Sequence, residues 1–209
     1  MGETRMADWD SALARARAHA PFLARALDRQ PDLAALLAAG EGEAALVWAR
    51  AQGEHPDAEV ALRRERLALA AALAVGDLAG AFPLARVVGE LTGFADRALD
   101  RAIRTAIAER TGEDTAEGFI ALALGKQGAG ELNYSSDIDP ILLYDPDLIA
   151  RRERDEPGEA AQRYARHVVE LLSQPSGEGY VLRVDLRLRP ASEVSPLAVS
   201  RGAALAHYQ

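Results

Sequence analysis

Two aspartates one residue apart, Asp137 and Asp139, stand in the stretch GELNYSSDIDPILLYD, residues 130–145. In an extended strand alternate side chains share a face, so both carboxylates point one way and Ile138 the other. Carboxylates held side by side repel, and a divalent cation between them relieves the repulsion. A third carboxylate, Asp185, lies in VLRVDLRLRP, residues 181–190. Its alternation predicts a strand with Leu182, Val184, Leu186 and Leu188 on a buried face, and Arg183, Asp185, Arg187 and Arg189 on a polar one. If the two strands lie near each other in one sheet, Asp137, Asp139 and Asp185 converge. Three carboxylates so placed can hold two Mg²⁺ ions about 3.5–4 Å apart, the arrangement used for in-line phosphoryl or nucleotidyl transfer. Oxygen-only ligands select hard cations, and the arginines offset charge on phosphate or on the carboxylates.

The turn GKQGAG, residues 125–130, fits the same chemistry. Gly125, Gly128 and Gly130 let backbone N–H groups approach an anion. Lys126 adds a positive charge, and Ser135 and Ser136 add hydroxyls just before the aspartates. The turn is not a P-loop, because its lysine follows the first glycine and no second G-K-[ST] appears. Taken singly, each feature has a plain reading: a common D-x-D, an ordinary turn, a solvated sheet face. An apolar strand ending in G-K, then D-I-D, then V-D-L on a later strand points jointly to a site. Pro140 removes a backbone donor and suits an edge strand or a strand end.

The elements that must carry these residues differ along the chain. Residues 7–50 read as short helices broken or begun at Pro21 and Pro31. Residues 57–80 give the strongest helical pattern, with Arg63, Arg64, Glu65 and Arg66 expected as a solvated charged patch. Residues 83–111 continue as helix, with an interruption expected near Thr92–Gly93. From residue 118 the pattern changes to strand (GFIALALG), glycine turn, strand (SDIDPILLYD), helix (159–174), loop (PSGEGY), strand (181–190) and a tail that starts another helix. The expected fold class is α+β: a helical region over 1–115, then a core with a small mixed sheet over 116–209.

The chain of 209 residues carries 24 Lys+Arg against 32 Asp+Glu, a net charge of −8. That balance disfavours nucleic acid as a partner. There is no cysteine, so disulfides and thiolate metal sites are excluded. The longest uncharged apolar run, residues 67–76, is about half of the ~20 residues needed to cross a bilayer. The N-terminal MGETRMADWD lacks the apolar core of a signal peptide. The expectation is a cytoplasmic protein with no membrane partner.

ALGKQGAGELNYSSDIDPILLYD followed by VDLRLRP, SPLAVS and ALAHYQ resembles the glutamine synthetase adenylyltransferase / adenylyl-removing enzyme family, of the polymerase β-like nucleotidyltransferase superfamily. The resemblance covers most of the chain and is most specific over 120–145 and 181–209. It implies a nucleotidyltransferase core in which Asp137, Asp139 and Asp185 are catalytic and hold Mg²⁺. It places Gly125, Lys126, Ser135, Ser136 and Arg187 on the nucleotide and phosphate side. Family members carry two such units, and ELNYSSDID looks more like the N-terminal, adenylyl-removing one. That unit releases AMP from a glutamine synthetase tyrosine by phosphorolysis, giving ADP, whereas the other unit adds AMP from ATP. The implied partners are glutamine synthetase and the nitrogen-regulatory PII protein. Two other readings stay open: a binding-only fragment that docks glutamine synthetase or PII, and a forward nucleotidyltransferase with another acceptor. The sequence departs from the family pattern at Gln127, Ala129 and Pro140, and RPASEVSPLA lacks the usual glycines. The chain stops soon after the third aspartate and reads as a fragment truncated on the C-terminal side of its core.

Overall fold

The computed structural model describes residues 7–177 and 179–209. Most of the N-terminal stretch read for a signal core, and Glu178 of the PSGEGY loop, lie outside them. The chain forms two compact units, residues 1–91 and 92–209. No helix among the described residues is long and apolar enough to cross a membrane.

The first unit is helical. It comprises α1 (Trp9–His19), α2 (Pro21–Arg29), α3 (Pro31–Ala38), α4 (Gly42–Ala51), a 3₁₀ turn (Gln52–Glu54), α5 (Ala58–Ala79) and the start of α6 (Leu84–Thr111). Local chemistry sets the starts. Asp8 and Asp57 accept from the backbone N–H of Ser11 and Val60 as N-caps, and Pro21 and Pro31 occupy first-turn positions where no N–H is needed. α5 stops at Gly80, whose left-handed backbone closes the cap. Alanines at the contacts (Ala12, Ala16, Ala45, Ala68 and Ala72, all fully or almost fully buried) let the helices approach closely around Leu33, Leu46 and Leu73. Each such leucine contributes about 1.5–3 kcal/mol on burial.

The charged patch on α5 is not a solvated face throughout. Arg63 and Glu65 are 4% and 5% exposed. Arg63 donates to the carbonyl and carboxylate of Glu59 one turn back. Gly53 leaves room for the Glu65 carboxylate, because a Cβ there would lie 2.4 Å from Glu65 Oε2. The arginine and glutamate sit inward because their stems pack while their heads find partners. The expected interruption of α6 at Thr92–Gly93 is also absent, and α6 runs unbroken to Thr111. One glycine in a helix costs only about 1 kcal/mol, and the buried Phe94, Ala95, Ala98 and Leu99 just beyond it outweigh that.

The second unit is α+β. β1 (Phe119–Leu124), α7 (Gly125–Gly128), β2 (Asp139–Tyr144), α8 (Pro157–Ser173), β3 (Ala198–Ser200) and α9 (Arg201–Tyr208) join the C-terminal part of α6. The sheet is small and mixed, in the order β1-β2-β3. β1 and β2 are antiparallel, registered from Phe119 against Tyr144 to Leu124 against Asp139, and β2 and β3 are parallel. Phe119 meets Tyr164 of α8 edge to face at 6.1 Å, and Tyr164 donates to the Ala150 carbonyl at 2.8 Å. The outer edge of β3 is closed by Gln162, whose amide both accepts from and donates to the Ala198 backbone.

Two expectations about the strands are corrected. The strand over 181–190 is reduced to a single parallel bridge, Val184 against Ile138. The third strand is instead the short Ala198–Ser200. Pro140 is the second residue of β2, at the strand's end beside Asp139, but β2 is the central strand and not an edge. The two corrections share a cause. The parallel ladder begins with the Ile138 N–H donating to the Arg183 carbonyl at 2.9 Å and the Asp185 N–H donating to the Ile138 carbonyl at 2.8 Å. Its next bond would need an N–H from residue 140, which proline lacks. The Arg187 N–H turns instead to Asp185 Oδ1 at 2.9 Å, and the chain leaves the sheet. On the β1 side no bond is lost, since Pro140 faces Ala123 at a non-bonded pair. Pro140→Leu is therefore expected to extend the ladder by one step. Its new residue-140 amide should exchange about tenfold slower than an exposed one, and an unprotected amide in a hydrogen-exchange measurement would disprove this account.

Candidate active site

Asp139 opens β2, half-buried, and Asp137 stands exposed two residues earlier. Ile138 between them is fully buried, so the pleat anchors the pair through its opposite face. Asp185 follows the Val184 bridge, which brings it beside the aspartate pair. The Asp139 carboxyl is held above the usual aspartate range. Burial is the main cause, followed by the charges of Asp185 and then Asp137, with Arg187 and Lys126 partly opposing them. Asp139 therefore feels the charges of Asp185 and Asp137, offset in part by Arg187 and Lys126.

The two outer carboxylates are each turned to an arginine. Arg183 Nε donates to Asp137 Oδ1, while its Nη2 bonds the Ser135 carbonyl and its Nη1 bonds the Tyr180 hydroxyl at 3.2 Å. Arg187 Nε donates to both oxygens of Asp185, at 3.0 and 2.8 Å. The side-chain bond from Arg187, then its backbone N–H, hold Asp185 below the usual aspartate range. Among the described residues no arginine is bonded to Asp139 in this way.

The turn between β1 and β2 comes up against this carboxylate. Gly125 has φ +56°, and a Cβ there would lie 2.7 Å from Asp139 Oδ2. Glycine is thus required twice at this position, for its backbone and for its proximity. The serines divide. Ser136 Oγ accepts from the Asn133 N–H at 3.2 Å and so closes the turn before the aspartates. Ser135 contributes its carbonyl to Arg183, and its own N–H donates to Asn133 Oδ1 at 3.1 Å.

The donor set suits a hard cation: three carboxylates, with the charge on Asp139 opposed by the other two. It is not assembled as a coordination group. Among the described residues no three His, Cys, Asp or Glu side chains stand where they could hold a metal ion, because Asp137 and Asp185 face Arg183 and Arg187. The Val184 bridge brings Asp185 beside the strand that starts at Asp139, without a ready-made ligand sphere among the described residues.

Sequence reasoning placed Arg183 only on a polar face, yet it ties Asp137, Ser135 and Tyr180 together. Its position two residues before Asp185 was the available signal. Asp96, which receives a bond from Gln127 of α7 at 2.9 Å, left no motif to find. The loop RPASEVSPLA closes without glycine. Ala191 takes a left-handed φ of 48°, and Arg189 donates to the carbonyls of Leu186, Ser192, Ser195 and Pro196.

The chain as a whole is similar to known proteins. The family described as glutamate-ammonia ligase adenylyltransferase matches residues 11–209. A protein of Caulobacter vibrioides named bifunctional glutamine synthetase adenylyltransferase/adenylyl-removing enzyme is 38% identical over 210 aligned residues, covering 93% of this chain and 20% of that protein. Proteins of the same name from Rhizobium meliloti and Rhodopseudomonas palustris (strain ATCC BAA-98 / CGA009) are 38% and 36% identical, covering 74% and 80% of this chain and 17% and 18% of theirs. The chain thus spans about a fifth of the length of these curated relatives. With the family matched across both the helical unit and the carboxylate site, the chain belongs to the glutamate-ammonia ligase adenylyltransferase family.

Proposed function

We propose that this chain forms the adenylyl-removing unit of a bifunctional enzyme that regulates glutamine synthetase in the cytoplasm. The observation that carries the reading is the meeting of Asp139 with Asp137 and Asp185 beside the Lys126 turn, in a chain of this family. In the proposed reaction an oxygen of inorganic phosphate forms a bond to the phosphorus of AMP. The phosphorus–oxygen bond to the target tyrosine breaks, the tyrosine oxygen takes up a proton, and ADP leaves. The protein is asked mainly for position and charge in such a step. Lys126, Arg183 and Arg187 supply positive charge to the phosphates, and Gly125 lets the turn approach Asp139. Asp137, Asp139 and Asp185 would hold Mg²⁺, which supplies charge neutralisation at the transferring phosphoryl group.

The test is incubation with adenylylated glutamine synthetase, phosphate and Mg²⁺, with ADP as the readout. Release of ADP supports the reading. Its absence, alongside an active full-length relative, overturns it for this chain. A second reading, docking of glutamine synthetase or PII without turnover, draws on the arginine bonds that engage Asp137 and Asp185. Capture of either partner with no ADP formed would favour it.

A further inference from the structure

The segment between β1 and β2 carries Lys126 and leads into the aspartates, and its own hydrogen bonds are local. The Ala129, Gly130 and Glu131 N–H groups donate back to the carbonyls of Gly125, Gln127 and Lys126 at 3.1, 3.0 and 2.8 Å. Beyond these, two bonds tie the part that carries Lys126, residues 125–132, to α6, one turn apart, while Ser135, Asp137 and Ile138 further on bond residues 183–185. Gln127 Nε2 donates to Asp96 Oδ1 at 2.9 Å, and the Leu132 N–H donates to Thr92 Oγ1 at 3.2 Å. Residues 92 and 96 share a helix face, since i and i+4 stack along it.

We propose that Thr92 and Asp96 are positioning residues that hold this segment at two points, and so set where Lys126 stands relative to Asp139. The inference rests on the adenylyl-removing reading for its chemical consequence. Gln127 is 4% exposed, yet its Oε1 is buried with no hydrogen-bond partner among the described residues. A side chain of similar size without the amide would leave no such oxygen unmet, so the bond to Asp96 is what the amide contributes. That bond also fixes the amide's orientation, because the reverse rotamer would press Oε1 against a carboxylate. Leu132 is 2% exposed and Thr92 8%. The second bond is therefore dry, and its loss would leave a buried N–H without a partner. Asp96 is itself exposed, so replacing it removes the anchor without opening the core.

The experiment follows amide hydrogen exchange on the whole chain for wild type, Asp96→Ala, Asp96→Asn and Thr92→Val, together with kcat and the phosphate KM in the ADP-release assay. Asp96→Ala is expected to speed exchange at Ala129–Leu132 about tenfold, as the loss of one net hydrogen bond predicts. The β1–β2 amides and the melting temperature should stay in place, and the phosphate KM should rise by a larger factor than kcat falls. Asp96→Asn keeps an acceptor for Gln127 Nε2 and offers a donor to Oε1, so it should restore both readouts. Unchanged exchange in Asp96→Ala and Thr92→Val overturns the inference, as does faster exchange with an unchanged phosphate KM. A wild-type chain that releases no ADP defeats the proposed reaction, while the exchange result still decides whether α6 holds the segment.

Discussion

Asp139→Asn is expected to lower ADP release about a thousandfold, on the scale seen when a group stabilising charge in the transition state is removed, and at the same time to raise the melting temperature at pH 7 in buffer containing a chelator. The sign follows from the shift. The Asp139 carboxyl sits above its ordinary range because it is buried beside Asp185 and Asp137. A carboxyl raised in the folded state favours folding fully only below its unfolded pKa of about 3.9, and that contribution is lost as pH rises through the folded value. At pH 7 the ionised group is therefore a burden, and asparagine removes it. The stability difference should vanish at pH values below the ordinary aspartate range. Asp185→Asn is expected to do the opposite. Its carboxyl is lowered by the side chain and then the backbone of Arg187, so its contribution is present above the unfolded pKa and lost as pH falls through the lowered value. The loss on Asp185→Asn is small, because Arg187 is 86% exposed and solvent screens the pair. Thermal melts of both variants across pH, paired with the ADP assay, check this. An Asp139→Asn protein that melts below wild type at pH 7, or that keeps its activity, contradicts the electrostatic account of the site.

Opposite signs at two carboxylates of one site are what a charge-binding centre produces. Asp137 and Asp185 are neutralised in place by Arg183 and Arg187, whereas Asp139 stands in the field of the other two carboxylates. A group kept ionised at a cost to folding is common where a ligand is meant to supply the missing charge. The arginines add a second consequence. Arg183 and Arg187 bond phosphate oxygens as readily as carboxylates, so a phosphate that draws the arginines away frees Asp137 and Asp185 for a cation, and a cation on the aspartates frees the arginines for phosphate.

The carboxylates were legible because a strand's period of two turns D-I-D into a shared face whatever the sheet around it. The helical unit was legible through proline starts and glycine stops, which act over a single turn. What failed was non-local. VLRVDLRLRP alternates like a strand, but a parallel strand exists only through its neighbour, and that neighbour presents Pro140 where a donor is required. Ala198–Ser200 carries almost no pattern over three residues and becomes a strand because β2 and Gln162 satisfy both its sides. Arg63 and Glu65 read as solvent-facing, and only the packing of α5 against its own unit buries them. The link from Asp96 to Gln127 spans 31 residues and rests on one bond, which leaves no periodic trace.

The two glycines that bracket β1 should respond very differently to the same change. Both have positive φ, +72° at Gly118 and +56° at Gly125, so alanine costs about 1–2 kcal/mol at either from its backbone alone. At Gly118 the added Cβ would lie 2.3 Å from the Ile149 nitrogen and 2.5 Å from the Leu148 carbonyl carbon, both backbone atoms that cannot step aside. The Gly118 carbonyl is also held by the Asp145 N–H at 2.9 Å, so the strand entrance cannot shift freely. Strain of that kind adds about 1–3 kcal/mol, and Gly118→Ala is expected to cost about 3 kcal/mol or more in denaturant unfolding of the second unit. At Gly125 the obstacle is the far end of Asp139, which can rotate away and in doing so escapes its like-charged neighbours. The stability loss should then stay near the backbone cost. ADP release should fall about a hundredfold, the effect of displacing a reacting group by about 1 Å. Activity closer to wild type in Gly125→Ala than in Gly118→Ala, measured where both are folded, would mean that Asp139 does not need the place this turn leaves for it.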